Sequence, residues 1–131
     1  MDSVPLWPLL LVDDDRLLLD ATCHRIGGAL PETTLLAFTR GADALAATEG
    51  KPLGLAILDI DMPGMSGLEL ASRLRARSPE LPILFLTGTA KDNLTAEFER
   101  VGAVAWLRKP VSGQVLLQTI SKYALRARDA T

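Results

Sequence analysis

An open α/β fold, a parallel five-stranded sheet with helices on both faces, is what this sequence predicts, and three observations predict it. Short unbroken apolar runs recur, the clearest being Leu9-Leu10-Leu11-Val12, Leu55-Ala56-Ile57-Leu58 and Ile83-Leu84-Phe85-Leu86. Strands that read this way are buried on both faces. Stretches of helical spacing lie between them, so strand and helix alternate five times, which calls for a doubly wound parallel sheet. Finally, four of the five strands run out onto residues with chemical use: Asp13 and Asp14, Asp59, Thr87 and Lys109. Folds of this kind place their chemistry outside the carboxyl ends of the strands.

The elements follow in order. Pro8 suits the start of the first strand, and Asp15 offers a side-chain oxygen to cap the helix after it. That helix is expected to turn Leu18, Ala21 and Thr22 or Ile26 inward and to stop at Gly27-Gly28, with Cys23 packed and His24 facing solvent. A strand over Glu32–Phe38 and a short helix over Ala42–Thr48 come next. The strand ending at Asp59 opens at Gly54 and is closed by Pro63-Gly64, which a continuing helix would not survive. Ser66-Gly67-Leu68-Glu69 reads as a capping box, and the helix it starts buries Leu70, Ala71 and Leu74 while Arg73, Arg75 and Arg77 point to water. After the strand ending at Thr87, Leu94, Phe98 and Val101 share one helical face up to Gly102. Val104–Leu107 is the fifth strand, and Ser112 caps a last helix that buries Leu116, Ile120, Tyr123 and Ala124.

Composition narrows the function. The 131 residues are 48% apolar and 23% charged with a formal net charge of -2, so the domain is globular and shows neither a nucleic-acid nor a membrane surface. The apolar run Val4–Val12 holds two prolines, is too short to span a membrane, and lacks a basic leader and a cleavage site. A cytoplasmic location is expected. With one cysteine and one histidine, a Cys/His zinc site is excluded, and any metal must be a hard, oxygen-bound ion.

The polar strand ends form a constellation of carboxylates, a hydroxyl and an ammonium. Carboxylates this close repel unless a cation joins them or some take up protons. Mg²⁺ answers that need, and beside it Asp59 is a credible nucleophile toward a phosphoryl group. Thr87 and Lys109 are then suited to the transferred oxygens as these gain charge.

These residues resemble the receiver domain of two-component response regulators. The resemblance rests on the Asp13-Asp14 pair, the Asp59-x-x-Met62-Pro63 loop running into Ser66-Gly67-Leu68-Glu69-Leu70, Thr87 before Gly88, and Lys109-Pro110, with matching spacings over roughly Leu9–Ala127. It implies a flavodoxin-like (βα)5 fold with strand order 2-1-3-4-5, filling residues 1–131 as a single receiver domain with a core over about 8–128. It implies that Asp59 is phosphorylated by a histidine kinase or histidine phosphotransfer protein. The domain would then be a phosphoacceptor that promotes its own phosphoryl transfer and dephosphorylation rather than a turnover enzyme. Mg²⁺, with Mn²⁺ as an alternative, would be held by Asp14, Asp59 and the backbone carbonyl of Asp61, with Asp13 acting mainly through water. Thr87 and Lys109 would hold the phosphoryl group, and the Lys109-Pro110 peptide bond would be cis. Thr87 and the ring at Trp106 would switch the face made by the fourth helix, fifth strand and fifth helix. An output domain or effector protein would read that face; a homodimer is left open.

The chain departs from the pattern in carrying Ser66 where many members have aspartate and Trp106 where a single ring is usual. It also lacks the acidic pair and Arg-rich pattern of the winged-helix regulators. The inward pocket is sized for one ring, so Trp106 is expected to stay outward and partly exposed. Two alternatives use the same residues: a phosphorylation-independent pseudo-receiver that only binds a partner, and a haloacid-dehalogenase-like phosphohydrolase reading Asp59-Ile60-Asp61 as its Asp-x-Asp motif.

Overall fold

The computed structural model describes residues 5–88 and 94–127. Its elements run β1 (Leu9–Val12), α1 (Arg16–Ala29), β2 (Leu35–Phe38), α2 (Gly41–Ala47), β3 (Leu55–Asp59), α3 (Gly67–Arg77), β4 (Ile83–Thr87), α4 (Thr95–Val101), β5 (Ala105–Arg108) and α5 (Gly113–Tyr123). The strands form one parallel sheet in the order β2-β1-β3-β4-β5, as expected, and the Lys109-Pro110 bond is cis. Among the described residues no helix is long and apolar enough to cross a membrane.

Side-chain alternation splits the core into two layers. Leu9, Leu11, Leu55, Ile57, Leu84 and Leu86 point to one face, where α1 contributes Leu19 and Ile26 and α5 contributes Leu116 and Ile120. Leu10, Val12, Ala56, Leu58, Ile83 and Phe85 point to the other, under α2, α3 and α4. Every residue of β1, β3 and β4 is buried, which is why those three strands stand out as continuous apolar runs in the sequence.

The phase of α1 differs from the sequence expectation. Leu19, not Leu18, is buried together with Ile26, whereas Leu18 is 38% exposed and Ala21 is also exposed. Leu17, Leu18 and Leu19 are consecutive, so spacing alone leaves the inward line ambiguous; packing on the sheet decides it. The helix also continues through Gly27-Gly28 to Ala29 and is closed by the Leu30 amide donating to the Ile26 carbonyl. Asp15 caps its start and Ser112 caps α5, both as expected. The second strand starts at Leu35 because a turn, with the Thr33 amide on the Leu30 carbonyl, occupies the residues before it.

The arginines of α3 correct a second expectation. Arg73 is exposed and pairs with Glu69 one turn away, so Glu69 does not complete the capping box; Ser66 alone caps, accepting from the Glu69 amide. Arg77 is exposed as expected and Arg75 is partly buried, but both also hydrogen-bond to backbone carbonyls. Arg77 donates to the Leu45 carbonyl of α2, and Arg75 donates to the carbonyls of Ser78, Pro79, Val101 and Gly102. Helix ends leave carbonyls without intrahelical partners, and these two side chains supply donors from a neighbouring helix. Replacing Arg77 with Ala should therefore cost about 1–2 kcal/mol, the worth of a charge-assisted hydrogen bond. Arg73→Ala should stay within about 0.5 kcal/mol. Urea denaturation of both variants checks the contrast.

Candidate functional site

The carboxyl ends of β1 and β3 lie side by side, with Val12 opposite Leu58, so Asp13 and Asp59 leave the sheet as neighbours. The carboxylate oxygens of Asp13, Asp14 and Asp59 come within 4.8 Å of one another. Asp13 and Asp59 are 6% and 4% exposed, while Asp14 is open to solvent. Lys109 reaches them from the end of β5, its Nζ 2.9 Å from Asp13 Oδ2 and 3.3 Å from Asp59 Oδ1. The other oxygen of Asp13 accepts the Asp15 amide at 2.9 Å. Thr87 ends β4 fully buried, and the Lys109 amide donates to its carbonyl at 2.7 Å. The structure thus gathers Asp13, Asp14, Asp59, Thr87 and Lys109 at one end of the sheet. Asp61 lies in the exposed loop after β3.

Burial governs the electrostatics. Desolvation pushes the Asp59 carboxyl up to about 6; Lys109 opposes the shift, while the Asp13 charge and a hydrogen bond with the Asp14 carboxyl add to it. Burial tends to lower the Lys109 ammonium, but Asp13 and then Asp59 outweigh it and hold that pKa above the ordinary value. One ammonium therefore stands against three carboxylates, and an all-oxygen cluster short of positive charge fits a hard divalent cation.

Gly67 was not singled out by the sequence, yet it sets the position of Asp59. A Cβ there would overlap the Asp59 carbonyl oxygen and sit 2.8 Å from Ile60 Cα. Its amide also donates to the Ile60 carbonyl at 3.1 Å. Only glycine lets α3 start this close to the strand end. The signal in the sequence was a glycine in the first helical position directly after the capping serine.

Trp106 lies opposite Phe85 across the β4–β5 pair. Its ring packs 5.8 Å from Phe98 of α4, which in turn stacks 5.0 Å from Phe85. The indole is 40% exposed, outward as expected. On the opposite face a cleft of about 430 Å³ opens between α1 and α5, lined by Leu18, Arg25, Leu86, Lys109, Val111 and Leu116 among others. Leu17, 83% exposed, stands on the same helix.

The sequence model of the response regulator receiver domain matches residues 9–121. The chain belongs to the response regulator receiver family. Relatives include the transcriptional activator protein ExaE of Pseudomonas putida, 32% identical over 87% of this chain and 53% of that protein. The transcriptional regulatory protein FixJ of Bradyrhizobium diazoefficiens is 31% identical over 93% and 58%. The chain thus spans little more than half the length of these relatives. Among solved structures, the chemotaxis protein CheY4 of Vibrio cholerae is similar at a TM-score of 0.83, with 29% identity over 90% of this chain and 98% of that one. A CheY-like receiver domain protein from Methanospirillum hungatei JF-1 gives 0.81, with 29% identity over 89% and 92%. A receiver of two-component signalling with a flavodoxin-like sheet is therefore established. The phosphohydrolase alternative fares poorly against this, since Asp59-Ile60-Asp61 follows the third strand of a receiver sheet rather than a first strand.

The raised Asp59 pKa has a stability consequence. The native carboxyl keeps its proton up to about pH 6, while the unfolded chain releases it near the ordinary 3.8. Stability from this group is therefore full below about pH 4 and lost as pH rises through 6. Asp59→Asn should stabilise the metal-free protein by about 1–2 kcal/mol at pH 7.5, the full linkage term being reduced because Lys109 loses a partner. The gain should vanish below about pH 4. Thermal melts across that range measure it.

Proposed function

We propose that Asp59 is the phosphoacceptor of this receiver, taking a phosphoryl group from the phosphohistidine of a histidine kinase or histidine phosphotransfer protein. One Asp59 carboxylate oxygen bonds to phosphorus as the phosphorus–nitrogen bond of the donor breaks, and the imidazole leaves with its electron pair. The observation that carries the reading is Lys109 Nζ held between Asp13 and Asp59. An ammonium in that place binds a phosphoryl oxygen of the product without moving far. Thr87, at the end of the next strand, would donate its hydroxyl to another. Asp13, Asp14 and Asp59, with the Asp61 backbone carbonyl, would hold Mg²⁺ or Mn²⁺, and the ion would neutralise charge on the phosphoryl oxygens. The same residues would serve autodephosphorylation: a water oxygen bonds to phosphorus as the bond from phosphorus to the Asp59 oxygen breaks, the carboxylate leaves with the electron pair, and inorganic phosphate is released.

The protein donor needs a docking surface, and the exposed leucines of α1 beside the cleft supply one within reach of Lys109. On the other face, Thr87, α4 and Trp106 form the switch toward an output domain or effector. We further propose a single domain over residues 1–131 and a cytoplasmic setting.

Incubating the protein with acetyl phosphate and Mg²⁺ should add one phosphoryl group per chain, seen by intact mass. Asp59→Asn should abolish the adduct, and Asp14→Asn should slow its formation at least tenfold. Absence of an adduct on the wild-type chain would instead favour the pseudo-receiver, while sustained release of phosphate from a monoester would favour a phosphohydrolase. Leu18→Glu should slow transfer from a phosphohistidine protein about tenfold and leave the acetyl phosphate rate unchanged, as measured by rapid-quench kinetics.

A further inference from the structure

The cleft between α1 and α5 is apolar in its depth and carries positive charge on its lining. Leu86 of β4 and Leu116 of α5, both buried, form the floor, and Leu18, Ala21 and Val111 form the walls of a space of about 430 Å³. That volume lies in the range of small-molecule sites, which combine apolar walls with a few fixed polar groups. The charged residues of the lining are Arg25 and Lys109, both cations, and among the described residues no carboxylate joins them there.

The two cations are not equivalent. Lys109 already bridges Asp13 and Asp59. Arg25 is exposed and makes no hydrogen bond or ion pair with a described residue. Its neighbours one turn away on α1 are Ala21, Thr22, Gly28 and Ala29, so the helix itself offers no acidic partner. Packing nevertheless fixes where the side chain lies. A Cβ at Gly113 would overlap Arg25 Cδ and Nη1, so the arginine crosses from α1 to the first turn of α5, and only glycine leaves it room. Thr22, three residues before Arg25 on the same helical face, adds a hydroxyl-bearing side chain to the lining.

We propose that this cleft is a binding site for a small amphipathic anion, a carboxylate on an apolar body, with Arg25 holding the head and Leu86, Val111 and Leu116 covering the body. A guanidinium without a partner matches a carboxylate through two parallel hydrogen bonds. The floor and walls supply the apolar surface that a hydrocarbon leaves water to meet. The site goes beyond the proposed donor surface, whose exposed leucines stand beside the opening, and it is independent of phosphoryl transfer at Asp59.

The test is titration of the intact chain with octanoate, followed by amide shifts in ¹H–¹⁵N NMR near neutral pH, where the carboxylate is ionised. Octan-1-ol and n-octylammonium, which share the chain and change only the head, are titrated alongside. Octanoate should give saturable shifts at Ala21, Thr22, Arg25, Val111 and Gly113, and the other two should bind at least about fivefold more weakly. Arg25→Met, which keeps an unbranched stem without the charge, should weaken octanoate at least about fivefold and leave octan-1-ol within about twofold. Arg25→Lys, with the charge but not the fork, should fall between. Ala21→Trp, at an exposed helical position on the cleft wall, should fill the space and abolish the shifts, with a thermal melt confirming that the variant is folded. Octan-1-ol binding as tightly as octanoate, or octanoate binding unchanged in Arg25→Met, would overturn the anionic ligand and leave a groove for neutral molecules or a protein surface. No saturable shift around the cleft at the solubility limit of octanoate, or shifts that persist in folded Ala21→Trp, would overturn the site itself.

Discussion

Lys109 between Asp13 and Asp59 is the interaction on which the site depends. Parallel pairing of β1 with β3 brings two buried carboxylates together, and Asp14 adds a third at the surface. Left alone, such a cluster would push the strand ends apart. The ammonium crosses from the far side of the sheet to join them, and its own backbone is fixed by the bond from its amide to Thr87. It satisfies only part of the negative charge. The remaining deficit makes the site receptive to a cation and to the charged group that a cation helps to bind.

Strand alternation separates two tasks around that point. Lys109 lines the α1–α5 cleft with Leu18, Leu86 and Leu116, so the ammonium of the site is reached from that face. Phe85 and Trp106 belong to the other face, under α4. Thr87 ends the same strand as Phe85 and touches the backbone of Lys109, standing where the two faces meet.

The buried framework was legible because its signals were redundant. Three strands that are apolar up to their last residue could hardly be anything else, and Asp15, Ser66 and Ser112 cap where their chemistry suggests. The site residues were legible for a related reason: chemically useful groups closed successive apolar runs. What the sequence concealed depended on distance in space. Three adjacent leucines hid the phase of α1. The backbone bonds of Arg75 and Arg77 were hidden because their partners, the carbonyls of Val101, Gly102 and Leu45, lie 26 or more residues away. Gly67 mattered only because Asp59 passes directly beneath it, a closeness that no local pattern encodes.

The central claim is that the cluster holds more negative charge than Lys109 can balance, and that this leaves Asp59 poised for a cation and a phosphoryl group. Its most direct test is a titration of the Asp59 carboxyl carbon by ¹³C NMR, in metal-free buffer and again in saturating Mg²⁺. The account predicts a midpoint near 6 without metal and a fall well into the acid range when the ion binds. An ordinary carboxylate midpoint in metal-free buffer, unmoved by Mg²⁺, would contradict it.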